Sequence, residues 1–230
     1  VVAIDGPAGS GKSSTARAVA AALGFDHLDS GALYRAVTLV ALDLAAAPER
    51  WRPEALAVEA EARGVALARR GAGGPWEVVV DGAPAGGRIR GAAVTREVSR
   101  VAAMAPVRDF VNARLRAAAA GGGVVLDGRD IGTVVFPDAD VKVFLVAAIA
   151  ERARRRLLER GEPAHAESLA VEGRALERRD ALDSSRAVAP LVAAKDAIRL
   201  DTTTLTFEQQ VRAIVDLVRR VTAGGAVQSR

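Results

Sequence analysis

The chain contains no cysteine, its only lysines are Lys12, Lys142 and Lys195, and aromatic residues make up 3% of its 230 positions. Without cysteine there is neither a disulfide framework nor a thiolate metal site, which suits a reducing compartment. Few aromatic rings leave few stacking platforms for single strands, so the pI of 10.2 and net charge of +4 do not by themselves imply a nucleic-acid partner. No apolar run approaches the roughly 20 residues of a membrane span, and the opening residues read as a core strand rather than a signal peptide. These absences predict a soluble, cytoplasmic protein with no membrane partner, and no apolar stripe argues for more than a monomer. With 50% hydrophobic residues the chain can bury a full core, forming one domain with an inserted lobe.

What is present is organised around Gly6-Pro7-Ala8-Gly9-Ser10-Gly11-Lys12-Ser13-Ser14, which follows the apolar run 1–5 and precedes 15–23. The order reads strand, glycine loop, helix, and it matches G-x-x-x-x-G-K-[ST]. Glycines let successive N–H groups face inward, and the following helix presents its positive end to phosphate. Lys12 would reach the β- and γ-phosphates of a nucleotide, and Ser13 would bind Mg²⁺. The alternative is a chance turn in a chain with 22 glycines, but that has to place a scarce lysine at the one position that demands it.

Next, 24–31 reads as a short strand and turn, and 32–44 has helical spacing at Leu33, Val37, Val40 and Leu44. Ser30 is a candidate cap there; with Tyr34 and Arg35 in the first turn, the helix start is either a second phosphate site or a capped surface helix. Pro48 and Pro53 are expected to end this helix. From about 58 to 91 the composition shifts, and 65–68 and 76–80, followed by Asp81-Gly82, predict short antiparallel strands with a D-G turn. Trp76 is read as packing for that lobe. Helical periodicity returns at Val94, Val98, Val101 and Met104 and continues through Val107, Val111 and Leu115, with Pro106 kinking or dividing the run. Ser99 and Arg108 are polar residues on this apolar element, and 117–123 looks like a helix tail with a glycine stop.

The run 124–127 predicts a buried strand, and 128–133 at its carboxyl end places Arg129 and Asp130 where ligands of parallel sheets bind. After a strand at 141–146, a helix at 150–160 carries Arg152, Arg154, Arg155, Arg156 and Arg160. Arg152, Arg155, Arg156 and Arg160 share one face, and such like charge is either solvated or forms a lid over polyphosphate, because planar guanidinium groups bind phosphate oxygens bidentately. A charged helix at 166–179, a last strand at 197–201, a closing amphipathic helix at 207–221 and a frayed tail at 224–230 complete the pattern. Strands alternating with helices predict a doubly wound parallel sheet covered on both faces.

Five segments run in the order found in bacterial cytidylate kinases: I-D-G-P-A-G-S-G-K-S-S at 4–14, L-D-S-G-A-L-Y-R at 28–35, L-D-G-R-D-I-G-T-V-V-F-P at 126–137, E-R-A-R-R-R at 151–156 and R-A-V-A-P-L at 186–191. Nearly the whole chain resembles that family of nucleoside monophosphate kinases. The resemblance implies an α/β P-loop three-layer fold with a five-stranded parallel sheet, an inserted monophosphate-binding lobe and a helical arginine-rich lid. It places the core at 1–45, 93–150 and 190–222, the insert at about 46–92 and the lid at about 151–166. It also implies transfer of the γ-phosphoryl group of ATP to CMP or dCMP with Mg²⁺. Ser30, Tyr34, Arg35 and Arg129 would hold the CMP phosphate; Ser99, Arg108, Asp130 and Arg186 would contact cytosine; Arg179 and Asp183 would contact the ribose. Arg152 and Arg156 would close over ATP, whose phosphates lie in the loop from Gly6 to Ser14. The chain departs from the pattern at 83–90, which lacks the usual acidic and serine residues, at Ser13-Ser14, where many members carry glycine and threonine, and at Ser184-Ser185.

Other nucleotide-binding classes fit less well. A GTPase switch would carry N-K-x-D, yet Asn112, the only asparagine, is followed by alanine; a hydrolytic ATPase would favour glutamate after Asp127, where Gly128 stands. Adenylate, thymidylate and shikimate kinases are the alternatives within phosphotransferases, and the acceptor pocket separates them. Cytosine offers O2 and N3 as acceptors and N4 as a donor, which suits Ser99, Arg108, Asp130 and Arg186 together. An acceptor that is already an anionic phosphate needs no general base, and His27 and His165 lie outside every motif.

Overall fold

Residues 2–5 are buried at every position in the computed structural model, which describes residues 1–44, 47–71 and 73–225. This strand, β1 (Val2–Asp5), leads through the glycine loop into α1 (Lys12–Leu23). The described chain divides into two compact units, Val1–Phe25 with the chain from Gly123, and Asp26–Gly122. Residues 45 and 46, where the sequence pattern passes from the first core segment to the insert, lie outside the described residues.

The second unit contains β2 (Asp26–Asp29), α2 (Ser30–Leu44) and α3 (Pro53–Ala62), then β3 (Ala66–Arg69), β4 (Trp76–Val80) and β5 (Ala83–Pro84). It ends with α4 (Ala92–Val101) and α5 (Ala105–Ala119). Leu33, Val37 and Val40 recur at helical spacing on α2 and are fully buried, and α2 packs against α3, α4 and α5. The antiparallel sheet runs β3-β4-β5. Its tight turn, Asp81 at φ 55° and Gly82 at φ 74°, joins β4 to β5, with Val80 opposite Ala83. Two residues at positive φ are what a two-residue hairpin of this twist requires.

Helix α3 was not expected. Pro53 reads in sequence as a helix breaker but stands in the first turn of α3, where its missing N–H has no partner to lose, and Leu56 and Ala60 bury the inner face. Pro106 works the same way. It divides the long apolar run, with α4 ending at Val101 and α5 opening at Ala105.

The first unit continues with β6 (Val124–Gly128), a π-turn at Ile131–Val135, β7 (Val141–Val146), α6 (Ile149–Glu159) and α7 (Ala166–Ser184). It closes with β8 (Ile198–Asp201) and α8 (Phe207–Gly225). The expected tail beyond Gly225 lies outside the described residues. A five-stranded parallel sheet has the order β2-β6-β1-β7-β8. Asp5 pairs in register with Gly128 and with Phe144, and Val146 with Asp201. Parallel registers bring strand ends to one edge, so the glycine loop, the Arg129-Asp130 turn and the segments after β7 and β8 all emerge there. Ile4, Val19, Val125, Leu145 and Ile214 lie in the core beneath that edge. Truncating Ile4 or Leu145, both fully buried, to alanine would cost about 2–5 kcal/mol.

Candidate active site

The glycine loop leaves the sheet under tight steric limits. A Cβ at Gly6 would stand 2.3 Å from the Leu145 carbonyl oxygen, so no larger residue fits there. Gly9, at φ +73°, lies against α6: its Cβ would meet the Arg152 carbonyl oxygen at 3.2 Å and the Arg156 side chain at 3.3 Å. The first turn of α1 holds no acidic residue, which leaves its positive end open to an anion. The Ser10 hydroxyl is buried in the loop with no hydrogen-bond partner among the described residues.

Lys12 is buried, with Nζ donating to the Pro7 carbonyl at 3.2 Å. Burial pushes its pKa down to about 7; Arg129 and Arg179 add to that shift, and Asp127 and Asp183 oppose it. A site that makes a lone ammonium costly favours a polyanion beside it. Ser13 donates its hydroxyl to Asp127 Oδ2 at the end of β6. Asp5 accepts from the backbone N–H groups of Ile131 and Gly132, both at 2.8 Å, which sets the turn after Asp130. Burial raises the Asp5 pKa to about 6, against the lowering effect of those two bonds.

Helix α7 extends past Arg179, where the sequence pattern stops, and so carries Asp183 to the same place. Arg129 Nε donates to Asp183 Oδ2 at 2.8 Å, and Arg186 Nη2 donates to Oδ1. Burial pushes the Asp183 carboxyl up, but Arg129 and Arg186 together hold it below the ordinary carboxylate range. Asp130 is buried beside this group, close enough to Asp5 for its charge to be felt there.

Arg152 and Arg155 face the loop. Arg152 Nη1 donates to the Ala8 carbonyl at 2.9 Å and to Asp180, and Arg155 donates to Glu151, Thr202 and the Ser10 carbonyl. Arg156 is paired with Glu159 at 3.1 Å and is partly exposed. Beside the loop lies a cavity of about 410 Å³ lined by Gly9, Gly11, Ser14, Arg155, Phe207 and Gln210 among others. That is the size of a small-molecule site. Gln210 Nε2 donates to Thr15 Oγ1 at 2.7 Å, and Thr15 donates to the Gly11 carbonyl at 2.8 Å, so α8 is tied to the loop as well.

The second unit carries Ser30, Tyr34, Arg35, Ser99 and Arg108. Asp29 Oδ1, not the expected Ser30, accepts the Ala32 N–H and caps α2, because the helix starts at Ser30 itself. Arg35 Nη1 donates to the Ile89 carbonyl at 3.1 Å and to Thr95 Oγ1 at 2.8 Å. Arg108 is 2% exposed, donates to the Ala102 carbonyl at 3.1 Å and sits 5.6 Å from the centre of the Tyr34 ring. Ser99 is buried too. On periodicity alone Ser99 and Arg108 read as surface residues, and their burial is the stronger sign of a polar pocket.

Within the first unit, Lys12, Ser13, Arg129, Arg179 and Asp183 form one electrostatic group, and Arg152 joins the loop directly. Asp127, Asp180 and Gln210 belong to the site but were not singled out from sequence; only the position of Asp127 at the end of a buried strand could have flagged one of them. A family model described as cytidylate kinase matches residues 2–220. The chain is 46% identical over 227 residues to a cytidylate kinase of Streptomyces griseus subsp. griseus, covering 97% of this chain and 95% of that one. It is 44% identical over 229 residues to a cytidylate kinase of Desulfitobacterium hafniense, covering 100% and 97%, respectively. A third, from Salinibacter ruber, is 47% identical over 231 residues, covering 95% and 96%.

Proposed function

The chain belongs to the cytidylate kinase family, and from that premise we propose that it transfers the γ-phosphoryl group of ATP to CMP or dCMP, giving ADP and CDP or dCDP. The observation that carries this reading is Lys12, a buried ammonium with further guanidinium charge around it at the positive end of α1. Such a concentration of positive groups is unfavourable alone and is offset by phosphate.

The residues present suit the two groups the reaction needs. The Ser13 hydroxyl and the Asp127 carboxylate are hard oxygen donors already held together, which fits Mg²⁺. When bound, the ion would neutralise charge on the β- and γ-phosphates. The glycine loop, the Ser10 hydroxyl and Lys12 would hold those phosphates, and the adjoining cavity would take the rest of the nucleotide. Arg152 and Arg156 would add positive charge at the donor end.

On the acceptor side, Ser30, Tyr34, Arg35 and Arg129 would bind the CMP phosphate, and Ser99, Arg108, Asp130 and Arg186 would bind the base, with Arg179 and Asp183 on the ribose. We assign 46–92 as the monophosphate-binding insert and 151–166 as the lid. The acceptor oxygen is already anionic, so the residues position it and neutralise charge rather than remove a proton. Closing the lid would exclude water, the competing acceptor.

A coupled assay of ADP release across a panel of nucleoside monophosphates tests the reading. CMP and dCMP should drive ADP release and UMP should do so poorly. ATP consumption that does not depend on CMP would point to a hydrolase instead.

A further inference from the structure

The two helices α6 and α7 grip the phosphate loop at one residue, Ala8. Its N–H donates to Asp180 Oδ1 at 3.0 Å, and its carbonyl accepts from Arg152 Nη1 at 2.9 Å. The same Nη1 donates to Asp180 Oδ2, which closes a ring of Ala8, Arg152 and Asp180. Arg152 Nε is held as well, donating to the Ala147 carbonyl at 3.1 Å. The ring is well shielded, the Arg152 and Asp180 side chains being 10% and 18% exposed. One residue further on, Gly9 lets α6 lie directly on the loop.

We propose that Asp180 is a positioning residue for phosphoryl transfer, fixing the phosphate loop and Arg152 in the one arrangement in which both face the same triphosphate. The inference rests on the reading of the loop as the ATP phosphate site. Consecutive peptide planes share Cα atoms, so turning the Ala8 N–H outward to Asp180 constrains the planes on either side, through Gly9 and Ser10. The carboxylate does this with two bonds at once, one of them charge-assisted. Removing it would leave the Ala8 N–H without its acceptor and the Arg152 charge without its counter-ion. Asp180 does not touch the reacting atoms, and its effect would be felt on the donor side because small misplacements of bound phosphate are costly in rate.

The test compares Asp180→Ala and Asp180→Asn with the unaltered protein, alone and with Arg152→Ala. In Asp180→Ala, KM for MgATP should rise by about tenfold or more while KM for CMP changes less than about twofold. Asp180→Asn keeps an acceptor for Ala8 and should show a smaller rise. Placed on Arg152→Ala, Asp180→Ala should add less than about twofold, because the two act as a unit. Amide exchange at Ala8, read by NMR without nucleotide, should accelerate in Asp180→Ala. An unchanged KM for MgATP, or a parallel rise in both KM values with a lowered Tm, would overturn the proposal. If Asp180→Ala does not fold, the KM split in Asp180→Asn decides. Failure of the kinase reading would be seen separately, as no CMP-dependent ADP release by the unaltered protein.

Discussion

Ser13, in the first turn of α1, donates its hydroxyl to Asp127, 114 positions away at the end of β6. A hydroxyl and a carboxylate joined in this way can both turn toward a hard cation. Asp127→Asn keeps the shape and removes the charge. It should lower kcat/KM for MgATP by about a hundredfold and raise the Mg²⁺ concentration needed for half-maximal rate. A Mg²⁺ titration checks this, and an unchanged titration would remove Asp127 from the metal site.

Asp130 is 3% exposed at the turn held by Asp5. A buried carboxylate accepting from the cytosine amino group would be left facing a carbonyl when uracil is bound, a loss worth about 10- to 100-fold. Asp130→Ala should therefore shrink the ratio of kcat/KM for CMP over UMP by that factor, chiefly by losing CMP activity. Equal values for both pyrimidines in the unaltered enzyme would argue against this pocket.

Asp5 supplies a pH signature. Its pKa in the folded protein is about 6 against an ordinary 3.8, raised first by burial. The folded state thus holds this proton more tightly, and the stability it contributes is full below about pH 4 and lost as pH rises through 6. Urea unfolding of the protein and of Asp5→Asn should show a stability difference that moves against the unaltered protein by on the order of 2–3 kcal/mol between pH 4 and 7. A difference that does not change with pH would mean that the carboxyl titrates alike in the folded and unfolded states.

The glycine loop, the buried strands and the amphipathic helices were legible because their signals are local: adjacent residues, or a fixed spacing of two or four. Even there a proline can mislead: Pro53 reads as an end to α2, yet α2 closes at Leu44 and Pro53 opens α3, whose buried Leu56 and Ala60 mark it as a helix of its own. Asp29 and Ser30 are hard to tell apart as caps for a similar reason: two neighbouring cap-forming residues differ only in where the helix begins. Asp180 was invisible because its partner Ala8 is 172 positions away, and no spacing rule links residues that meet only after the sheet has formed. Arg108 read as a surface residue because arginine rarely lies buried, and its place over Tyr34 depends on how α5 packs on α2.

Positive charge at Lys12 facing ATP is what the proposed transfer to CMP needs most. The most direct measurement is CMP-dependent ADP release by the protein and by Lys12→Ala, with the KM for CMP followed in both. In Lys12→Ala, kcat should fall by about a hundredfold or more with the KM for CMP nearly unchanged. Turnover by Lys12→Ala equal to that of the unaltered protein would contradict it.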